Sequence, residues 1–391
     1  MTNILILGGG YAGMMTALRL RGRVKDANIT LINASDTFIE RIRLHQVIAG
    51  DKLQHHSIPH MLRGRNINFV QGWITALHPD THQVMATVNG TPQTFNYEVL
   101  VYALGSHTDL DRVPGVREHA YTLDPKSAQA LRASIPKDGT LVICGGGLTG
   151  IESATEFAER FPHLKIRIVT QGKLGGGLSA KGRAYLDKIF QKFNIQVDEN
   201  AAVQQVNQHS IQLNNGRTIQ HDAVIWAGSF NVPELAKQAG LKVNHKNQIL
   251  IDPYLRSVSH PEVFVVGDSG QFVSEPSAPI RMACATGMPI GTHGGDNIAA
   301  LLQDKPLTPF SFQYLIQCIS LGRHAGLIQF VNGDDTPKER ILTGRLGAWV
   351  KEFICRFTIW GMKLERRIPG SYTWAKASTE QVKHEQSYGN I

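Results

Sequence analysis

The chain has 391 residues, 42% hydrophobic and 18% charged. That length predicts two or three domains, and the apolar mass excludes a mainly disordered or fibrous chain. A net charge of +8 permits nucleic acid, anionic membrane or phosphorylated ligands without choosing among them. The excess is local, because residues 338–367 carry eight cations against three carboxylates. Cys144, Cys284, Cys318 and Cys355 lie far apart, with no CxxC spacing. This suits a reducing cytosol and argues against a disulfide framework or a metal site. The opening Met1–Gly10 has no basic leader, and no run reaches 18 apolar residues. Neither a signal peptide nor a membrane span is therefore expected.

Residues 3–34 read as strand, Gly-rich turn, helix, strand. Asn3–Leu7 is the first strand, Gly8-Gly9-Gly10-Tyr11-Ala12-Gly13 the turn, Met14–Arg21 the helix and Ile29–Ile32 the second strand. Residues 140–170 repeat the plan with Thr140–Cys144, Gly145-Gly146-Gly147-Leu148-Thr149-Gly150, a helix Ile151–Phe161 and the strand Lys165–Thr170. This is an internal duplication of one βαβ unit, and alternating strands and helices predict parallel sheets. Between the copies lie β-rich stretches (68–76, 83–87 and 94–97) and the strand Glu98–Ala103. After the second copy the pattern recurs with Ile195–Val197, a strand-rich Val203–Leu213 with an Asn-Asn-Gly turn, and Asp222–Ala227. Val263–Val266 is another buried strand and leads into Gly267-Asp268. Residues 305–309 read as a linker to a third module, whose polar tail from about Lys376 is expected to be loose.

Each GxGxxG points to phosphate. Its first Gly makes the tight turn and its second leaves room for a pyrophosphate. Its third lets helix and strand pack closely, with helix N–H donors at the anion. One such loop alone reads equally well as a tight turn. Here there are two, each following a strand and opening a helix. Two dinucleotides in one chain suit a flavin with a nicotinamide, since hydride can pass between them. Asp268 at a late strand end suits a ribityl hydroxyl, or a plain turn. Arg281–Gly294 reads as a helix start whose small residues, Ala283 among them, let a flat ring approach the backbone.

The order of GGGYAG, YALGS at 102–106, CGGGLTGIESATEF at 144–157, VIWAGS at 224–229 and HPEVFVVGDSG at 260–270 resembles the flavoproteins with two dinucleotide-binding domains. These form the pyridine nucleotide-disulfide oxidoreductase superfamily. Glu152, the Trp-Ala-Gly and LHQVIAG at 44–50 most resemble its type-II NADH:quinone oxidoreductase branch. The likeness covers roughly residues 3–300 and is loose beyond. It implies an α/β chain with two Rossmann-like domains and a C-terminal module. FAD would take 1–112 and 246–305, NAD(P)H an inserted 113–245, and the module 306–391. It further implies that Gly8, Gly10 and Gly13 hold the FAD pyrophosphate, with Asp268 on the ribityl chain beside Gly267. Gly145, Gly147 and Gly150 would hold NAD(P)H, with Glu152 near the nicotinamide–flavin contact. Ala103, Gly105 and Gly228, in the matching motifs, join the cofactor-binding set. Glu152 reads equally as a dipole-stabilising carboxylate on its helix.

The departures also carry information. The disulfide reductases of the superfamily place CxxxxC on the helix that is here Glu40–Gly50, which has no cysteine. Electrons must then leave the flavin without a dithiol relay. The acidic ribose ligand expected about 20 residues after the last Gly is replaced by Asn33 in the first copy. In the second it is replaced by Thr170 and Gln171, with Lys173 nearby. NADPH is not repelled there, so the nicotinamide preference stays open. The branch's quinone-side glutamines are missing too, since Ile280-Arg281 and Ala285-Thr286 stand in their places. His45 suits a proton shuttle or a structural role. Arg41 and Arg43 suit FAD phosphate, an anionic substrate or salt bridges.

Residues 343–367 have a helical period, with Leu346, Trp349, Val350, Phe353, Phe357, Trp360 and Leu364 on one face and Arg345, Lys351, Arg356 and Lys363 beside it. A basic aromatic helix suits an anionic membrane surface. The alternative is packing on the body or on a second copy in a homodimer. Every residue assigned to hydride transfer lies outside this segment. The reading is an FAD-dependent NAD(P)H oxidoreductase delivering electrons to a quinone or other small acceptor, cytoplasmic or at the inner membrane face, with no nucleic acid partner. Its rivals are a soluble oxidoreductase acting on another organic substrate and a redox-sensing flavin-binding protein with a partner-binding helix.

Overall fold

The structure is a computed structural model that describes residues 1–274 and 280–377. Two parallel sheets organise it. The first holds β1 (Thr2–Leu7), β2 (Ala27–Asn33), β3 (Ile67–Gln71), β4 (Val99–Tyr102) and a late strand, β9 (Val263–Val265). The spatial order is late strand, β4, β1, β2, β3. Ile4 pairs with Ile29 on one side and with Val99 on the other. Ile4–Leu7 of β1, β4 and the late strand are buried on both faces, which is why they read as unbroken apolar runs. The late strand adds beside β4, so the first sheet is completed by chain that follows the second βαβ copy.

The second sheet holds β5 (Thr140–Cys144), β6 (Lys165–Val169), β7 (Gln196–Asp198) and β8 (Ala223–Trp226), ordered β7, β6, β5, β8. The duplication extends beyond the Gly loops. In each half the third and fourth strands are joined through a three-stranded antiparallel meander, Trp73–Asn96 in one and Val203–Gln220 in the other. The stretch Val203–Leu213 is two arms rather than one strand. It breaks at Asn207, whose backbone N–H donates to Ser210 O, and asparagine favours such turns.

Both Gly-loop helices begin inside the motif, at Tyr11 for α1 (Tyr11–Arg23) and at Leu148 for α3 (Leu148–Arg160). Between them in sequence, Glu40–Gly50 folds as a 3-10 turn at Arg41–Arg43 followed by the short α2 (Leu44–Ala49). Helix α4 starts at Cys284 rather than Arg281 and runs to Leu301. It lies so close to α1 that a Cβ on Gly291 would sit 2.2 Å from Ala12 O. The linker at 305–309 is tied down by His293 and Asn297, which both bond Thr308 O.

The third module is an antiparallel sheet of β10 (Ile316–Ser320), β11 (Gly326–Val331) and β12 (Pro337–Thr343), then α5 (Gly344–Arg367). Helix α5 buries Gly347, Cys355, Thr358, Ile359, Gly361, Met362 and Glu365. Its apolar stripe therefore points outward. Leu346, Trp349, Phe353 and Trp360 are more than half exposed and Phe357 over a third. Of the expected loose tail, residues 378–391 lie outside the described residues.

Candidate functional site

The two Gly loops form matching cradles. A Cβ on Gly13 would lie 2.0 Å from Gly8 O, and one on Gly150 would lie 1.9 Å from Gly145 O. The third glycine of each motif is thus required by contact with the first. Gly8 and Gly145, at φ +105° and +132°, press against the carbonyls of Ala103 and Ala227, which follow the neighbouring strand. A Cβ added to Gly10 or Gly147 would meet nothing within 4 Å, and neither helix start has a side-chain cap. Open space in front of uncapped N–H groups is what a dinucleotide pyrophosphate needs. By this test both cradles fit their cofactors.

The other expected residues fall around these cradles. Asn33, at the end of β2, accepts from Gly9 N at 2.9 Å and donates to Ser35 O. Thr170 takes the matching place in the second copy, where a Cβ on Gly146 would strike it; Gln171 beside it is exposed. Asp268 Oδ2 accepts from Ser106 Oγ at 2.6 Å, and burial raises its pKa. Arg41 donates to Ser106 O and lies near Gly105, which has φ +67°. Gly267, at φ +76°, abuts Ala12, and Gly228 lies against the Trp226 ring. Ala283 caps the start of α4. Arg281 stands before that helix, paired with Asp335 and stacked over Tyr314.

Glu152 is buried on α3 and its Oε1 accepts from Lys351 Nζ at 2.7 Å and from Ser320 N at 3.0 Å. Burial alone would raise its pKa, but Lys351 and His45 hold it below the usual carboxylate value. His45, on α2, brings Nδ1 to 3.7 Å from Glu152 Oε2. Burial pushes the imidazole down to about 4, so it is neutral at pH 7. Arg43 is committed to protein carboxylates, with Glu40 at 3.2 Å and a two-pronged pair to Glu352.

Lys351 corrects the reading of α5. At about 100° per residue it lies roughly 160° from the centre of the aromatic stripe, whereas Arg345, Arg356 and Lys363 flank it. It therefore turns into the body. The C-terminal module is not separable from the expected site residues, since α5 supplies Lys351 to Glu152 and Glu352 to Arg43. That angular offset was available in the sequence; Glu152 as its partner was not.

Among the described residues no group of three or more His, Cys, Asp and Glu side chains could hold a metal. Burial raises the thiols of Cys284 and Cys318, to about 12 and about 11, so they stay protonated at neutral pH.

The pattern that defines pyridine nucleotide-disulphide oxidoreductases matches residues 2–282. The chain belongs to that family, and it is an NAD(P)H-dependent oxidoreductase with FAD and NAD(P)H as cofactors. It is 25% identical over 395 residues to the type II NADH:quinone oxidoreductase of Staphylococcus haemolyticus, covering 90% of this chain and 93% of that one. An NADH dehydrogenase-like protein of Mycobacterium tuberculosis is 23% identical over 348 residues, covering 82% and 86%. Two solved structures share the fold. The sulfide:quinone oxidoreductase of Aquifex aeolicus has a TM-score of 0.80 at 19% identity, covering 95% of this chain and 93% of its own. NDH2 of Plasmodium falciparum has 0.78 at 16%, covering 95% and 99%.

Proposed function

We propose that the chain takes hydride from NAD(P)H onto FAD and delivers the electrons to a quinone-type acceptor, with no dithiol relay. FAD supplies the two-electron carrier between nicotinamide and acceptor. The Gly8–Gly13 cradle, with Asp268, binds it, within 1–112 and 246–305. The Gly145–Gly150 cradle, with Gln171 at its ribose end, binds NAD(P)H within 113–245.

The observation that carries the acceptor assignment is the set of buried Glu152 and His45 with the partly buried Lys351, on three elements beside the second cradle. Reducing a quinone with NAD(P)H consumes one proton per turnover. Lys351 is held protonated by Glu152, with burial opposing and losing, so it carries a proton in a dry site. His45 is a neutral ring that can accept one. These groups stand in for the missing glutamines. Thr286 cannot, because its hydroxyl already bonds the carbonyls of Arg281 and Ala283.

The exposed aromatic stripe of α5 supports docking on an anionic membrane, where an apolar quinone resides. No described helix is long and apolar enough to cross a membrane. The test is steady-state oxidation of NADH by the yellow holoenzyme with benzoquinones, naphthoquinones or oxygen. A short-chain quinone should outpace oxygen at least tenfold. Equal or slower quinone turnover would refute the assignment.

A further inference from the structure

Glu156, one helical turn beyond Glu152, is a buried carboxyl without an assigned task. It is 2% exposed, and its Oε2 has no hydrogen-bond partner among the described residues. Leaving such an atom dry and unpaired is costly. Glu152, Glu156 and Arg160 recur every fourth residue on α3, so they share one face. At one end of this row Glu152 meets His45 on α2. At the other, Arg160 pairs with Asp51, just past the end of α2, and donates to Gly50 O. Arg160 is 42% exposed and Asp51 28%. Glu156 thus stands between a dry pair and a wet one.

The His45 ring has the matching vacancy. Its Nδ1 lies 3.7 Å from the Glu152 carboxylate, the side whose charge favours the neutral ring's hydrogen. Nε2 is then a bare acceptor, and it is buried with no partner. A protonated Glu156 has one O–H to give, and since neither its Oε2 nor His45 Nε2 has a hydrogen-bond partner among the described residues, the proton passes between them through water.

We propose that Glu156 is the proton intake of this site, taking a solvent proton at the Asp51–Arg160 cluster and relaying it through His45 to the Glu152–Lys351 pair. The imidazole accepts at Nε2 and releases the Nδ1 proton to Glu152, and exchange back to the Nδ1–H tautomer resets the ring for the next proton. One proton is passed for each NAD(P)H oxidised and each quinone reduced; this rests on the quinone reading. The groups facing Glu156 are Arg323 from the turn after β10, Asp51 after α2, and Glu159 and Arg160 on α3. Burial raises its pKa most, Asp51 and Glu159 add to that, Arg323 and Arg160 oppose it, and the result is about 7. A group poised there takes and gives protons at working pH.

The test uses the anaerobic holoenzyme, reduced with NADH and then mixed with a short-chain benzoquinone across pH 6–9. In Glu156→Gln, flavin reoxidation should slow at least tenfold at neutral pH and lose the wild-type fall with rising pH. Flavin reduction by NADH, which takes up no solvent proton, should change less than about twofold. Glu156→Asp should restore part of the rate, and His45→Gln should repeat the defect. Apart from turnover, infrared titration of the oxidised holoenzyme should show a buried carboxyl band that is lost near pH 7 and missing from Glu156→Gln. An unchanged reoxidation profile, or a band that persists in the variant, overturns the relay alone. A wild-type flavin that no quinone reoxidises overturns the quinone reading and the relay with it.

Discussion

Lys351 on the last helix donates to Glu152 Oε1 at 2.7 Å, across 199 residues of sequence and inside the protein. Removing one partner strands the other as a buried charge, at a cost of ~3–5 kcal/mol. Lys351→Met should lower unfolding stability by about that much in urea titration, and adding Glu152→Gln should recover most of it. A single-variant loss under about 1 kcal/mol would mean that water screens the pair.

The two glycines of the second cradle should fail differently. Gly147 faces open space at φ −76°, so Gly147→Val should fold, keep its yellow flavin and lose reduction by NAD(P)H. Gly150→Ala would put a Cβ 1.9 Å from Gly145 O and should destabilise the fold itself. Flavin absorbance and thermal melting separate the two outcomes. Loss of FAD from Gly147→Val would reverse the assignment of the cradles.

Thr170 and exposed Gln171 present no carboxylate to a 2′-phosphate. NADPH and NADH should therefore differ by less than about tenfold in kcat/KM, ~1.4 kcal/mol. Gln171→Glu should shift the preference toward NADH, and a thousandfold NADH preference in the wild type would contradict the reading.

The stripe on α5 predicts salt-sensitive binding to anionic vesicles, since charge attraction is screened within about 8 Å at physiological salt. Trp349→Ser with Phe353→Ser should weaken vesicle sedimentation while leaving NADH reduction of the flavin intact. Truncation at residue 343 is a poor substitute, because it also strips Lys351 and Glu352 from their buried partners. If the serine variant instead changes oligomeric state, the stripe joins two copies.

His45 makes stability depend on pH. Its folded-state pKa is depressed from 6.5 to about 4. Between those values the unfolded chain binds a proton that the folded chain refuses. The stability is therefore full above about pH 6.5 and falls as pH drops toward 4. The upper limit is ~3 kcal/mol. His45→Gln should flatten this part of the acid-unfolding curve.

Much of this architecture was legible in the sequence. Gly13 and Gly150 announce close packing because only hydrogen fits there, and β1 and β5 announce buried parallel strands by unbroken apolar runs. The helix of 343–367 was legible by period, and its outward stripe follows from which residues are small on the other side, Gly347 and Gly361 among them. What the sequence hid is tertiary pairing. Arg43 reads alike as a phosphate ligand or an ion-pair partner until Glu352 arrives from 309 residues away. Lys351 reads as surface charge until α5 is laid against α3. The break at Asn207 lies in the polar run Asn207-Gln208-His209-Ser210, which a strand reading across 203–213 passed over.

The most direct test of the account is an anaerobic titration of the flavin band. One equivalent of NADH should bleach it, and one equivalent of a short-chain quinone should restore it, unchanged when Cys284, Cys318 and Cys355 are replaced by serine. A flavin that NADH bleaches but quinone leaves reduced, or a cycle that fails without those thiols, would contradict direct transfer to a quinone.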